Sequence, residues 1–433
     1  MSVFKKLIPA ILMILSLSAF GQAARSPFST FGVGEIFGGA LIQNQGVGGT
    51  GVAQPQFWSV NNQNPALLVN NYFTTFQAGA LVESRKFAND TASQKGVYGN
   101  LNYLVTAFPV MRYKKDPNLM FWTTSVSLLP FSKVNYRLLY TDSIQGSPDQ
   151  LLGVTEVGSG GLSQVSWANG FRIIPELSLG IKASYVFGST VSDYSNRLLN
   201  SDQSVPFIVA VKEQTYMKDF MFTGGLAFAT DSVFSSDISI HAGLTYAFAS
   251  KLNATKTTVQ QRRLSSQNPI TSDTLVYRKG TVDIPSAFTI GLSVSKGIDW
   301  AIAGEFAMQD WSKFRSINAE DEGLKKTWRV SLGGEITPDQ TDFKNYFKRV
   351  TYRAGFSYET TPYVNPYVDN GKQLNDYGIN FGLSLPAGRS SIDAAFRVGK
   401  RGNKSETAVE ETYFKIFFGI TFVDQWFHRR KID

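Results

Sequence analysis

The sequence predicts an all-β protein: a 14-stranded antiparallel transmembrane β-barrel with an N-terminal hatch in the lumen. Three observations carry this reading. They are an export segment at the N-terminus, long stretches in which apolar and polar residues alternate, and connections that alternate between tight and long. Composition agrees. Phe (33), Tyr (18) and Gly (38) are abundant while charged residues make up only 18%, a balance that favours strands.

Composition also removes several function classes. The absence of cysteine excludes a disulfide framework, a thiolate zinc site, an iron–sulfur cluster and a lipoprotein anchor. Two histidines far apart, His241 and His428, argue against a metal site, and no cofactor is expected. The net charge of +8 is modest for 433 residues, so no nucleic-acid partner is expected.

The export segment comes first. Lys5 and Lys6 precede a mostly apolar run from Leu7 to Phe20, and Gly21 and Ala23 supply a small-residue cleavage site. Residues 1–23 read as a signal peptide, too short for a span of about 20 apolar residues. No later stretch reads as a membrane helix. The mature chain is therefore expected in the outer membrane of a Gram-negative cell, crossing the bilayer as strands.

The barrel is expected over 72–433, ending in a short basic periplasmic tail, His428-Arg-Arg-Lys431. Leu177, Leu179, Ile181, Ala183, Tyr185 and Phe187 alternate with small or polar residues, and Phe288–Val294, Val350–Tyr358 and Tyr377–Leu385 repeat the pattern. One face is apolar and the other small, polar or charged, as a lipid-facing closed sheet requires. Fourteen segments are expected, near 72–83, 96–108, 118–138, 161–173, 176–188, 214–229, 237–250, 275–295, 299–311, 326–336, 350–359, 376–385, 390–400 and 411–423. Pro175–Glu176, Gly297–Asp299 and Ala387–Arg389 read as tight turns, with 337–349 a longer one. The links 189–213, 251–274, 312–325 and 360–375 read as long polar loops. Pro130 cannot donate to a ladder and is the candidate strand kink.

Residues 24–71 lack strand alternation but carry Phe28, Phe31, Phe37, Phe57 and Trp58, too many large aromatics for a disordered extension. They are read as the hatch, since a barrel of this size has room for a plug. Gly46-Val-Gly-Gly-Thr-Gly51 fits a nucleotide fingerprint literally. It lacks the preceding buried strand and following helix, so nucleotide binding is not expected. Lys182, Glu305, Arg329, Glu335, Arg353, Glu359, Asp393, Arg397 and Lys415 fall on inward positions and read first as structural ion pairs. His241 reads as a lumen-facing polar residue, and no enzymatic activity is expected.

Several motifs resemble the FadL/TodX family of outer-membrane transporters for hydrophobic compounds, in the form common in Bacteroidetes. Gly46, Gly48 and Gly51 followed by Asn64-Pro65-Ala66 resemble its hatch. Ile284–Leu292 with Asp310-Trp-Ser-Lys-Phe314, Tyr352–Tyr358 with Thr361-Pro362, and Phe418–Phe422 with Trp426-Phe427 resemble its later strands. The resemblance implies passive uptake of long-chain fatty acids or other hydrophobic small molecules. It also implies a lateral window at a kink in the third strand, where Pro130 lies. Phe28, Phe31, Phe57 and Trp58 are the candidate ligand pocket. A buried acyl chain gains about 0.8 kcal/mol per methylene, so apolar shape should dominate selection. The expected partners are the lipid bilayer, a hydrophobic ligand and the outer-membrane barrel assembly machinery, with the protein a monomer. The alternative is a PorV-like barrel serving as a scaffold in type IX protein secretion.

Overall fold

The computed structural model describes residues 25–89, 93–116, 118–144, 147–199, 208–231, 237–264, 268–317, 319–364, 372–404 and 409–425. The expected signal peptide and the basic tail at 428–431 lie outside the described residues. The strands are β1 (Glu35–Ile36), β2 (Thr74–Ala88), β3 (Ser93–Arg112), β4 (Met120–Ile144), β5 (Ser147–Ile174) and β6 (Leu177–Leu198). There follow β7 (Ile208–Asp231), β8 (Ile238–Ala247), β9 (Ser250–Arg263), β10 (Pro269–Ile284), β11 (Ala287–Lys296) and β12 (Trp300–Asp310). The last are β13 (Lys326–Ile336), β14 (Thr351–Val364), β15 (Gln373–Ala387), β16 (Ser390–Arg401) and β17 (Glu410–Asp424).

From β2 onward every neighbour is antiparallel, and β17 pairs with β2 to close the ring. β8 and β9 both pair with β7, so they are two stretches of one barrel strand. β11 and β10 pair with β8 and β9 in the same way. The barrel therefore has 14 strands, as the sequence predicts. Closure matters because lipid offers no partner to an unpaired backbone group. Leu179, Ile181, Phe222, Leu292, Ile302, Leu332, Phe381 and Phe418 are exposed on the outer face. Ser184, Ser293, Ser331, Ser357, Asn380 and Thr421 are buried on the inner one.

The expected long loops need correction. Most of 189–213 and 251–274 is strand: β6 runs to Leu198, β7 begins at Ile208, and β9 and β10 occupy the second link. Part of 360–375 likewise belongs to β14 and β15. Of the four, 312–325 is the least strand-like. The physical reason is a change of face. In β8 the inward positions are odd, as His241, Gly243 and Thr245 show by their burial. After the break at Phe248–Ala249 they are even, with Leu252 and Ala254 buried. The partner strand makes the matching switch at Pro285–Ser286, between buried Ile284 and buried Gly291. One extra residue in a strand flips every later side chain. Just beyond the breaks Leu252, Ala254, Val282 and Ile284 face in while Lys251, Asn253 and Thr281 face out, the reverse of the lipid-facing pattern.

Strand lengths agree. A tilted spanning strand needs about 9–11 residues. β4, β5, β6 and β7 have 25, 28, 22 and 24. They project past the membrane at the end opposite the tight turns. We call the two ends the turn end and the loop end. The projecting interior is filled by an apolar cluster that includes Phe28, Leu162, Met217, Leu252, Ile284, Trp311, Phe314 and Leu374.

Candidate functional site

Residues 26–71 run through the ring. They form a 3-10 turn (Pro27–Thr30), β1, a short helix α1 (Ile42–Gly46) and a second 3-10 turn (Pro65–Asn70). Gly48 has φ +76°, and a Cβ there would stand 2.7 Å from the Phe356 carbonyl oxygen, so the chain needs glycine at this approach to β14. The next residues hold an anion. Gly51 N–H and Val52 N–H each donate to Glu305 Oε2 at 3.0 Å, and Arg329 Nη2 donates to Glu305 Oε1 at 2.7 Å. Successive backbone amides form such a cradle readily. Here the cradled anion is the barrel's own carboxylate.

Asn64 fixes the other side. Its side chain accepts from Ala66 N–H at 3.0 Å, and its amide donates to the Val52 carbonyl at 2.8 Å and the Leu226 carbonyl at 3.0 Å. Pro65 opens the second 3-10 turn against β5, β6 and β7. Lys182 Nζ donates to the Asn62 carbonyl at 3.1 Å, and Asn380 Nδ2 to the Gln45 carbonyl at 2.8 Å.

A buried charge network lies toward β2, β15, β16 and β17. Glu35 meets Arg85 at 2.9 Å and Arg401 at 3.1 Å. Arg85 also meets Glu83 and Glu411, each at 2.9 Å, and Arg401 meets Asp376 at 3.0 Å. Burial alone would raise the Glu35 carboxyl. The guanidiniums of Arg85 and Arg401 and the Lys415 ammonium outweigh it and hold the group well below the usual carboxylate range. Of the expected inward charges, Glu305–Arg329, Glu335–Arg353 and Arg397–Asp376 are ion pairs. Glu35, Glu83, Arg85, Asp376, Arg401 and Glu411 were not singled out by the sequence. The signal was there: Glu83 with Arg85, and Glu411 with Lys415, share the inward parity of the first and last strands, which a closed ring makes neighbours.

The seam between β3 and β4 is incomplete. Pairing runs from Arg112↔Met120 to Leu104↔Leu128 and stops. Ser93–Tyr103 stays paired with β2, and Leu129–Ile144 stays with β5. The register along β4 shifts between Pro130 and Ser132, just past this point. The freed edge of β4 is taken by the N-terminal segment. β1 pairs as Glu35↔Lys133 and Ile36↔Ser132, and Ser26 N–H donates to the Asn135 carbonyl at 2.8 Å. A cavity of about 400 Å³ lies between the N-terminal segment (Glu35, Ile36, Phe37) and the inner wall, bordered by Phe131 of β4, Met221 of β7, Phe288 of β11 and Trp328 of β13 and by the charged Lys182, Glu305, Arg329 and Arg401. A second cavity, about 350 Å³, opens at the turn end.

The four aromatics of the candidate pocket separate into two pairs. Phe28 and Phe31 sit at the loop end, with ring centroids 6.1 and 5.7 Å from Tyr363. Phe57 and Trp58 border the turn-end cavity, and Trp58 stacks on Phe73 at 5.6 Å.

The family model BamG matches residues 3–433. The chain belongs to the BamG family. No curated protein matches this BamG-family chain. Among solved structures it resembles a Pseudomonas aeruginosa FadL homologue at 12% identity and TM-score 0.55, covering 90% of this chain and 99% of that one. The Ralstonia pickettii toluene transporter TbuX matches at 16% identity and TM-score 0.55, covering 90% and 98%. CymD, a monoaromatic hydrocarbon channel, matches at 13% identity and TM-score 0.53, covering 92% and 100%. These likenesses show that this BamG-family chain has the barrel fold of those channels. With its apolar outer belt, the closed ring has the build of an outer-membrane barrel.

Proposed function

We propose that this protein is a passive outer-membrane channel for hydrophobic small molecules, long-chain fatty acids being the first class to test. The observation that carries the reading is the seam: the β3–β4 ladder ends at Leu104↔Leu128, and β1, which takes the freed edge of β4, lines a cavity together with Phe131. A hydrophobic molecule can leave such a cavity sideways where the seam opens, beside the exposed Leu101 and Leu128 at the margin of the apolar belt, without crossing the polar lumen at the turn end. Residues 24–71 then act as the hatch, with Gly46–Gly51 and Asn64-Pro65-Ala66 as its two anchors. The fold shared with hydrocarbon and toluene channels supports this.

The test uses the absence of native cysteine. Ile36→Cys with Ser132→Cys places a pair across the β1–β4 register. Oxidation ties the segment to the seam. Uptake of a fluorescent fatty acid into proteoliposomes should fall on oxidation and recover with reductant. Equal uptake in both states would overturn the channel reading.

A second reading rests on the BamG family match, which points toward barrel assembly. It is favoured by a projecting turn between β13 and β14, where Phe343 is 84% and Phe347 70% exposed. A barrel acting as a scaffold would present such a surface to a protein partner. Phe347→Ser, at a residue outside both cavities, should then release a co-purifying assembly component and leave uptake untouched.

A further inference from the structure

We propose that the turn between β13 and β14 is a docking surface for an anionic phospholipid, held by its phosphodiester headgroup in the leaflet at the turn end. The surface does not depend on what the barrel conducts. On β13 the outward residues Trp328, Val330, Leu332 and Ile336 are exposed along the lipid belt. Trp328 to Ile336 is nine residues, the length of a tilted span of about 9–11. Ile336 therefore stands at the rim of the hydrocarbon, and the chain that follows it lies at headgroup depth.

That chain carries three exposed aromatics, Phe343, Tyr346 and Phe347. The Asn345 side chain accepts from Phe347 N–H at 3.1 Å and opens a 3-10 turn, Tyr346–Arg349, with no buried residue. Tyr346 packs edge-on against Phe347, ring centroids 6.2 Å apart. Two hydroxyls orient the turn. Tyr352, paired with Ile336 on the outward face, donates to the Phe347 carbonyl at 3.1 Å. Tyr346 donates to the Pro386 carbonyl at 3.0 Å, next to the tight turn that carries Arg389. Phe347 is thereby tied to the outward column that ends at Ile336, and it borders neither cavity. Rings held at this depth are buried by lipid, as in the aromatic belts of membrane proteins.

Charge selects the lipid. Asp342 is taken by Lys348 at 2.9 Å, and Asp339 accepts from the Thr341 N–H and hydroxyl. The Arg349 guanidinium lies over the rings of Phe343 and Tyr346, at 5.6 and 5.2 Å. Lys344 and Arg389 are exposed and meet no carboxylate among the described ion pairs. Cations left unmatched beside rings at headgroup depth attract a phosphate whose acyl chains cover those rings. A zwitterionic lipid satisfies the rings and leaves the cations uncompensated.

The experiment places the full chain in nanodiscs of equimolar phosphatidylcholine and phosphatidylglycerol. Phe347→Trp adds an indole to the turn, and the emission of the parent is subtracted. Folding is checked by the heat-dependent shift in electrophoretic mobility. Bromine on the phosphatidylglycerol chains should quench the added emission about twofold more than bromine on the phosphatidylcholine chains. Lys344→Gln with Arg389→Gln should keep the quenching and erase the difference. An added indole that neither lipid quenches, or that both quench equally while the cations are present, overturns the proposal. So does quenching that appears only when a co-purifying protein is stripped away, which assigns the surface to that protein. If Phe347→Trp does not fold, native mass spectrometry of the parent decides. The parent must retain phosphatidylglycerol over phosphatidylcholine, and Lys344→Gln with Arg389→Gln must lose that preference. Equal retention by the parent overturns the site.

Discussion

Arg85 of β2 and Glu35 of the N-terminal segment form a buried ion pair, Nη1 to Oε2 2.9 Å, with side-chain exposures of 1% and 13%. The same guanidinium holds Glu83 and, across the closing seam, Glu411 of β17. One side chain therefore ties the segment to the ring and the two ends of the ring to each other.

Replacing Arg85 by Met should leave Glu35, Glu83 and Glu411 with only Arg401 and Lys415 to balance them. Breaking one partner of a buried ionic cluster costs about 3–5 kcal/mol. The midpoint of heat-modified mobility should drop sharply, and Arg85→Lys should recover only part of it because a lysine lacks the planar fork. An Arg85→Met barrel as stable as the parent would show that the network carries no stability.

The Glu35 contribution has a defined pH sense. Its folded value is depressed because the surrounding cations outweigh burial, so the stability it adds is fully present above the ordinary carboxylate value. That stability begins to fall once the pH drops below the ordinary carboxylate value and is gone below the depressed folded value. Protease access to residues 25–71 should stay flat from neutral pH to about pH 5 and rise progressively in stronger acid. A rise centred near pH 6 would contradict the assignment.

Glu305→Ala removes the acceptor shared by Gly51 N–H, Val52 N–H and Arg329. Each buried donor left unmet costs about 1–3 kcal/mol. Amide exchange at Gly51 and Val52 should speed up by tenfold or more, while exchange in β8 and β11 should change little.

Gly48→Ala adds a Cβ within 2.7 Å of the Phe356 carbonyl oxygen at a left-handed backbone position. The strain is on the order of 1–3 kcal/mol. The fraction of chain reaching the heat-modifiable form should fall, whereas Gly38→Ala, where nothing lies within 4 Å, should be silent.

The ring was legible because lipid imposes one rule on each spanning strand. Leu179 and Ile181 face out while Lys182 and Ser184 face in, and the alternation can be counted. The projecting half obeys another rule. At the start of β9 Leu252 and Ala254 are buried while Lys251 and Asn253 point outward, so apolar and polar exchange faces across a break that no local residue type announces. In β10 every position from Pro269 to Lys279 is exposed, so its first residues, 269–274, read as loop while 275–284 fell within an expected strand. At the site, Glu305 was legible as an inward charge. Its bond to Gly51 and Val52 was not, because the two partners are some 250 residues apart and only the closed ring brings them together. The separation of Phe28 and Phe31 from Phe57 and Trp58 was hidden for the same reason: a segment that threads a tube places near neighbours in sequence at opposite ends.

The Arg85 clasp also bears on the order of biogenesis. The segment is synthesised before any strand, yet Arg401 and Glu411, which complete the surroundings of Glu35, belong to the last two strands made. The order that strands no charge is one in which the nascent N-terminus waits inside an open sheet and the arrival of β17 on β2 shuts the cylinder around it. Closing the ring and enclosing Glu35 are then a single event.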